Sequence, residues 1–206
     1  MHFTFDDATH EYRLADGWRV ETVTEILADN GLIPDYRRLD PWYAERGGAV
    51  HHGLALHVMG RLDWESVDEA VRPYIERGAR FLETLELEPL SVEQPWVHKH
   101  LHFGGTWDLF GISKTIGPVF LDWKGGQFEP GHAIQVAAYV VLMRDAIAAG
   151  ALPIDMLDLT RARLLVVPLT TELPAPVRIR PAGLENLFMS ALSLTRWRRA
   201  HKVRQH

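Results

Sequence analysis

Hydrophobic positions along this chain switch between a period of two and a period near 3.6, and the switches mark out its elements. Phe3 and Phe5 alternate with polar neighbours, Tyr12 and Leu14 follow, and Ala15-Asp16-Gly17 is a turn before Trp18 and Val20. Phe3 to Val20 is therefore predicted as a β-hairpin. Thr22 with Glu25 fits a capping box that opens a helix over Val23 to Asn30, and Gly31 and Pro34 end it. Pro41 to about Met59 reads as a helix interrupted by Gly47 and Gly48. Each glycine costs roughly 1 kcal/mol there relative to alanine and is tolerated where another backbone or a ligand comes close. Ser66 with Glu69 suggests a second capping box, followed by a helix from Val67 to about Leu85. Its stripe is Val71, Tyr74, Ile75, Ala79, Phe81 and Leu82, and Pro73 either kinks it or marks a later start.

Leu90 to Phe103 reads as a strand in which Val97, Leu101 and Phe103 alternate with His98, His100 and His102; Pro95 puts it near an edge or a bend. Phe110, Ile112, Val119 and Leu121 are strand residues on either side of turn chemistry from Ser113 to Pro118. Gly131 to about Ala149 is a strongly apolar helix, of the kind buried against a sheet. Arg163 to Leu169 is a core strand with Val177 to Arg180 as its hairpin partner. A last helix carries an inner stripe of Leu184, Leu187, Phe188, Ala191 and Leu192. Strands alternating with helices place the chain in the α/β class.

Composition changes this picture little. With 206 residues, 47% of them hydrophobic and 24% charged, the chain reads as one globular domain: a hairpin and short helix over 1–34, then a core and C-terminal helix over 41–206. No apolar run approaches the ~20 residues of a membrane span, and the N-terminus lacks a signal-peptide pattern, so a cytoplasmic location is expected. Cysteine is absent, which excludes disulfides, thiolate zinc sites and cysteine-ligated iron–sulfur clusters. The net charge of −5 counts mildly against a nucleic-acid partner. However, Arg196, Arg198, Arg199, Lys202 and Arg204 crowd the C-terminus around Trp197. Such a cluster either contacts a nucleic-acid backbone and stacks on a base or is a solvated helix end with cations at the negative pole.

The candidate chemistry follows from one register. If the strands around the turn form a hairpin centred near Thr115, Asp108 and Asp122 fall opposite each other, about 5 Å apart at Cβ on one face. Lys124 joins that face and Trp123 points the other way. Two opposed carboxylates repel unless Lys124 or, better, a divalent cation offsets them. An acid–acid–lysine set around Mg²⁺ suits phosphodiester hydrolysis. His51, His52 and His57 follow the two glycines, and Gln135 and Tyr139 stand at i and i+4 on one face of the apolar helix. The row His98, His100 and His102 is a candidate zinc surface or a plain polar face.

Gly105-Thr106-Trp107-Asp108, Asp122-Trp123-Lys124 and Gln135-Val136-Ala137-Ala138-Tyr139 together resemble the PD-(D/E)XK nuclease superfamily. The nearest branch is the RecB-like and phage-exonuclease one, with its G-x-x-D, D-x-K and Q-x-x-x-Y motifs. Arg46-Gly47-Gly48-Ala49-Val50-His51 resembles that branch's R-G-T-x-x-H helix, and Glu93 stands where the branch often carries an acid. The likeness spans about Phe3 to Met143. Gly48 replaces the usual threonine, and Gly125-Gly126 follow the lysine where Thr-Gly is usual; neither removes a presumed ligand.

The resemblance implies a restriction-endonuclease-like fold, a mixed central sheet flanked by helices behind the N-terminal hairpin. It implies an Mg²⁺- or Mn²⁺-dependent DNA nuclease, an exonuclease rather than a sequence-specific endonuclease, in recombination, repair or phage replication. Asp108 and Asp122 would hold the metal, with His51, Glu93 and the Trp123 carbonyl completing its shell. Lys124 would orient or activate water, and Gln135 and Tyr139 would hold the substrate strand of single- or double-stranded DNA. A homo-oligomer is compatible, since some relatives form rings. Two other classes stay open: an inactive nucleic-acid-binding module on a nuclease scaffold, and a small-molecule metallohydrolase built on His98, His100, His102 and His51.

Overall fold

The structure, a computed structural model, describes residues 2–7, 9–35, 38 and 40–203. Strands β1 (Phe3–Asp6) and β2 (Glu11–Leu14) form an antiparallel hairpin with Phe3 opposite Leu14. The chain then turns again through Ala15 to Gly17, as Leu14 N–H donates to the Trp18 carbonyl (2.9 Å). The N-terminal hairpin thus has two turns, one between β1 and β2 and one at Gly17. Strand β3 (Glu21–Thr22) runs into helix α1 (Val23–Asp29), opened by the Thr22–Glu25 capping box that the sequence predicts.

Helix α2 (Pro41–Val58) and helix α3 (Arg72–Leu85) form the next layer. The latter begins at Arg72 and not at Val67. Asp63 caps a single 3₁₀ turn over Trp64–Ser66, and the Ser66 hydroxyl donates to the Asp63 carbonyl (2.8 Å), so no capping box forms there. Pro73 sits in the first turn of α3, where its missing N–H has no intrahelical partner to lose.

Strand β4 (Leu87–Val97) pairs antiparallel with β5 (Phe103–Ser113), which pairs antiparallel with β6 (Gly117–Lys124). Helix α4 (Pro130–Ala148) and the short α5 (Met156–Arg161) lead to β7 (Arg163–Pro168), parallel to β6. Strand β8 (Val177–Ile179) then pairs back onto β7, and α6 (Leu184–Ala200) follows. The result is α/β: a mixed six-stranded sheet in the order β3-β5-β6-β7-β8, with β4 on β5, flanked by helices and preceded by the hairpin. Pro95 lies in β4, which pairs with β5 alone, so its missing N–H faces an edge.

Residues 98–102 correct the reading of Leu90 to Phe103 as one strand. The chain reverses there: His98 N–H donates to the Phe103 carbonyl and His102 N–H to the His98 carbonyl, both at 2.9 Å. His98 Nδ1 accepts the backbone N–H groups of His100 and Leu101 at 3.3 Å. The three histidines belong to a turn and not to a strand face, so the zinc surface inferred from their alternation has no basis. His98 sits instead 3.5 Å from Asp145 on α4.

Side chains of the sheet alternate between two apolar layers. Phe110, Phe120, Leu164 and Val166 pack with α1, α4 and α6. Leu109, Val119, Leu121, Trp123, Leu165 and Val167 pack with α2 and α3. In α6, Phe188, Ala191 and Leu192 are buried as predicted, but Leu187 is exposed, because the apolar stripe is narrower than the sequence pattern.

Candidate metal centre

The β5–β6 register pairs Leu109 with Leu121 and Ser113 with Gly117, so the hairpin is centred at Thr115 as the turn chemistry predicts. One step beyond the last ladder pair stand Asp108 and Asp122. Here the two strands stop exchanging backbone hydrogen bonds. Trp123 N–H donates instead to Asp108 Oδ2 at 2.6 Å. Between this point and the β3 pairing at Phe103 and Gly104, that side of β5 carries no ladder, and the site occupies this interval. The Trp123 ring turns to the α3 layer, edge-on to Phe81 at 6.2 Å, which leaves Asp122 and Lys124 on the α4 side.

With Oδ2 held by Trp123, the other oxygen of Asp108 is presented to His51, whose Nδ1 lies 3.2 Å away. His51 reaches it from α2, and Glu93 Oε1 stands 3.6 Å from the same nitrogen. Ligand atoms of His51, Glu93 and Asp108 all lie within 4.8 Å of one another, the one such group among the described residues. Glu93 achieves this from a left-handed backbone, φ 41°, between the ladder pairs Val92–Leu109 and Gln94–Trp107. A left-handed conformation in a non-glycine residue costs of order 1–3 kcal/mol and clusters at functional sites.

Asp122 is buried and differently placed. Its Oδ2 lies 2.8 Å from Lys124 Nζ, yet neither carboxylate oxygen receives a well-formed hydrogen bond. Buried carboxylate oxygens normally accept well-aligned hydrogen bonds, and here the close cation is Lys124. Burial pushes its pKa up to about 6, with Lys124 working against the shift and Asp108 adding to it. For Asp108 the balance is reversed. Burial opposes ionisation, but His51, Lys124 and the Trp123 N–H outweigh it, and its pKa falls below the ordinary value. Burial also opposes a charged His51; the two carboxylates overcome this and raise its pKa well above the usual imidazole range. Glu93 is raised, by burial first and Asp108 next, with His51 opposing.

On α4, the Gln135 side-chain amide donates to the Tyr139 hydroxyl at 2.9 Å. The ring of Tyr139 lies on Gly105, where an added Cβ would stand 2.8 Å from a ring carbon; the first residue of G-x-x-D must therefore be glycine for the helix to seat. Burial and the nearby Asp122 and Asp108 raise the Tyr139 pKa well above its ordinary value. Thus all eight residues singled out from the sequence gather here: six around the carboxylates, with Gln135 and Tyr139 behind them. Three others were given no role from the sequence, although Arg46 stood in the R-G-T-x-x-H match. Tyr12 of the hairpin bonds Thr106 at 2.6 Å and so braces β5 beside the site. His132, buried at the start of α4, has its pKa lowered to about 4 by burial and by Lys124. Its position three residues before Gln135 was the available signal. Arg46 holds the third place, on the turn of α2 before His51.

The basic C-terminus, in contrast, is committed to the fold. Arg196 and Arg199 pair with Glu21 at 2.9 and 2.6 Å, and Arg199 also pairs with Asp29 at 2.8 Å. Arg198 donates to Asn30 Oδ1 at 3.2 Å. Arg204 lies outside the described residues. The described arginines therefore do not form a free nucleic-acid surface. No helix among the described residues is long and apolar enough to cross a membrane.

The donor set suits a hard or borderline divalent cation. It has two carboxylates, one imidazole and a further buried carboxylate beside them, and no sulfur. Three carboxylates stand here against one histidine and one lysine, and the Asp122 oxygens accept no well-formed hydrogen bond although Lys124 Nζ lies 2.8 Å away. No protein-family model matches the chain, and comparison with curated proteins yields no match.

Proposed function

We propose that this protein is a divalent-metal-dependent nuclease of the PD-(D/E)XK type, hydrolysing phosphodiester bonds of DNA and acting from ends. The observation that carries the reading is the convergence of His51, Glu93 and Asp108 within 4.8 Å, beside a buried Asp122–Lys124 pair, on two strands that part at that point. His51, Glu93, Asp108 and Asp122 would hold Mg²⁺ or Mn²⁺. When bound, the ion supplies Lewis-acid polarisation of the phosphate and a more acidic water.

The chain's own residues divide the remaining work. Trp123 N–H fixes the rotamer of Asp108, and the depressed pKa keeps that carboxylate ionised through the neutral range. Lys124, held by Asp122, presents an ammonium that orients a water and offsets negative charge developing on phosphate. Gln135 and Tyr139 brace the floor beneath the carboxylates. The carboxylates that raise the His51 pKa are those that would hold a cation, so proton and metal compete for the same place.

The test is digestion of end-labelled linear duplex, linear single strand and closed circular DNA with Mg²⁺, Mn²⁺ or EDTA, comparing wild type with Lys124→Ala. Metal-dependent loss of linear DNA alone, absent in the variant, is the expected result. Cutting of the circle would replace exonuclease by endonuclease. No cleavage with either metal would remove the nuclease reading in favour of a binding module.

A further inference from the structure

The first turn of α2 holds a second set of groups that the proposed hydrolysis does not use. Trp42 and Tyr43 are exposed, at 46% and 50%. Both rings flank Arg46, whose guanidinium carbon stands 4.5 Å from the Trp42 centroid, 5.4 Å from Tyr43 and 5.0 Å from Tyr74. Arg46 Nη1 donates to the Tyr74 hydroxyl at 3.2 Å, but its buried Nε–H has no hydrogen-bond partner. A Cβ on Gly125 would lie 3.7 Å from Nη2 and 3.9 Å from Nε. The guanidinium thus lies close to the loop that follows Lys124.

The two glycines after Arg46 add an independent observation. Each costs about 1 kcal/mol in a helix relative to alanine, and neither has any atom within 4 Å of where its Cβ would stand. No packing within the chain calls for them. Tyr43, Gly47 and His51 stand at i, i+4 and i+8 and so share one helix face. That face runs from Tyr43 to the metal cluster over about 12 Å, and Gly47 leaves its middle without a side chain, beside Arg46.

We infer that this face receives an unpaired polynucleotide strand, with a base stacked against Trp42 and Tyr43, its phosphate on Arg46, and the backbone passing over Gly47 and Gly48 toward His51. The inference rests on the nuclease reading and deepens it by naming the substrate class as single-stranded, or an end whose strands have parted. The chemistry favours that class. Stacking needs a free π-face, which an unpaired base offers and an interior base pair does not. The guanidinium of Arg46 complements a phosphate.

Fluorescence anisotropy of a labelled oligothymidylate and of a labelled blunt duplex, both in EDTA, tests this apart from cleavage. Trp42→Ala with Tyr43→Ala is expected to weaken oligothymidylate binding by about tenfold or more and duplex binding by less than about twofold. Trp42→Phe with Tyr43→Phe keeps the rings and retains the affinity. Arg46→Met lowers the slope of log affinity against log salt by about 0.7 for the single strand. Both aromatic side chains are exposed, so the variants fold, as an unchanged melting temperature verifies. Wild-type affinity in the double alanine variant, or equal losses for both ligands, overturns the inference. Metal-dependent digestion alongside unchanged affinity sinks the platform and keeps the nuclease; weakened affinity in a wild-type background that cleaves nothing does the reverse.

Discussion

Two regions of this molecule concentrate charge, and the fold treats them in opposite ways. At the end of α6, Arg196, Arg198 and Arg199 meet Glu21, Asp29 and Asn30, and Arg196 also donates to the carbonyls of Leu101 and His102 at 2.7 and 3.0 Å. Cation and acceptor are matched, and the helix is tied to β3 and α1. At the strand divergence, the buried Asp108 and Asp122 stand beside the half-buried Glu93 and His51, Asp122 lacks well-formed hydrogen bonds, and Glu93 holds a left-handed backbone. Satisfied charge is explained by the fold that it supports. An excess of carboxylates over cations, with a strained backbone at one of them, is not, and points to a ligand outside the chain. From the sequence the arginine run was open between a nucleic-acid contact and a solvated helix end, and the ion pairs with Glu21 and Asp29 decide for the fold.

The largest effect that would sharpen this contrast is on cleavage. Asp108→Asn and Lys124→Ala are each expected to lower metal-dependent hydrolysis by roughly 10²–10³-fold or more, with far-UV circular dichroism unchanged. Loss below about tenfold in both would break the assignment of chemistry to this region. In the matched region the largest effect falls on stability instead. Glu21→Gln removes the partner of two arginines and is expected to destabilise by about 1–2 kcal/mol, because Glu21 is mostly buried while its arginines are half-exposed and regain water. This corresponds to about 3–6 °C in melting temperature, with cleavage unaffected. A variant that melts normally but cleaves poorly would reverse the roles of the two regions.

What the sequence disclosed of each region follows from the physics involved. The hairpin centred at Thr115 was legible because turn chemistry and period-two alternation fix the register, and register alone sets Asp108 opposite Asp122. The capping box at Thr22 was legible for the same reason, being local. The turn over 98–102 was not. His98, His100 and His102 mimic strand alternation, and only the backbone bonds to Phe103 and His98 reveal the reversal. Arg46 could be matched to a motif, but its place over Trp42, Tyr43 and Tyr74 depends on the packing of α2 against α3, a long-range outcome. The pairing of α6 with Glu21 spans most of the chain and has no local signal at all.

Asp122 separates function from stability within the unsatisfied region. Its pKa, raised by burial from 3.8 to about 6, means that the folded state holds a proton which the unfolded state releases earlier. The associated stability is complete below about pH 4 and is lost as pH rises through about 6, a difference of about 3 kcal/mol by linkage. Asp122→Asn removes that loss while leaving Lys124 without its anion, which offsets part of the gain. The variant is expected to be about 1–2 kcal/mol more stable than wild type near pH 8 in the absence of metal, and no more stable near pH 4, by urea unfolding. A less stable variant near pH 8 would mean that the fold itself depends on Asp122, as it does on Glu21.

The smallest effect is the most diagnostic for the arginine cluster. Arg199 reaches Glu21 and Asp29, and its side chain is 45% exposed. The two pairs share one half-exposed side chain and together contribute about 0.2–1 kcal/mol, so Arg199→Gln should lower stability by no more than about 1 kcal/mol, and less in high salt. If the cluster serves the fold alone, oligonucleotide affinity and its salt dependence will match wild type within error. An arginine on a phosphate would instead reduce the salt slope by about 0.7 for a single strand. Measured beside Arg46→Met, the same titration compares the two charged regions directly. A slope that drops at Arg199 and holds at Arg46 would move the nucleic-acid surface from α2 to α6.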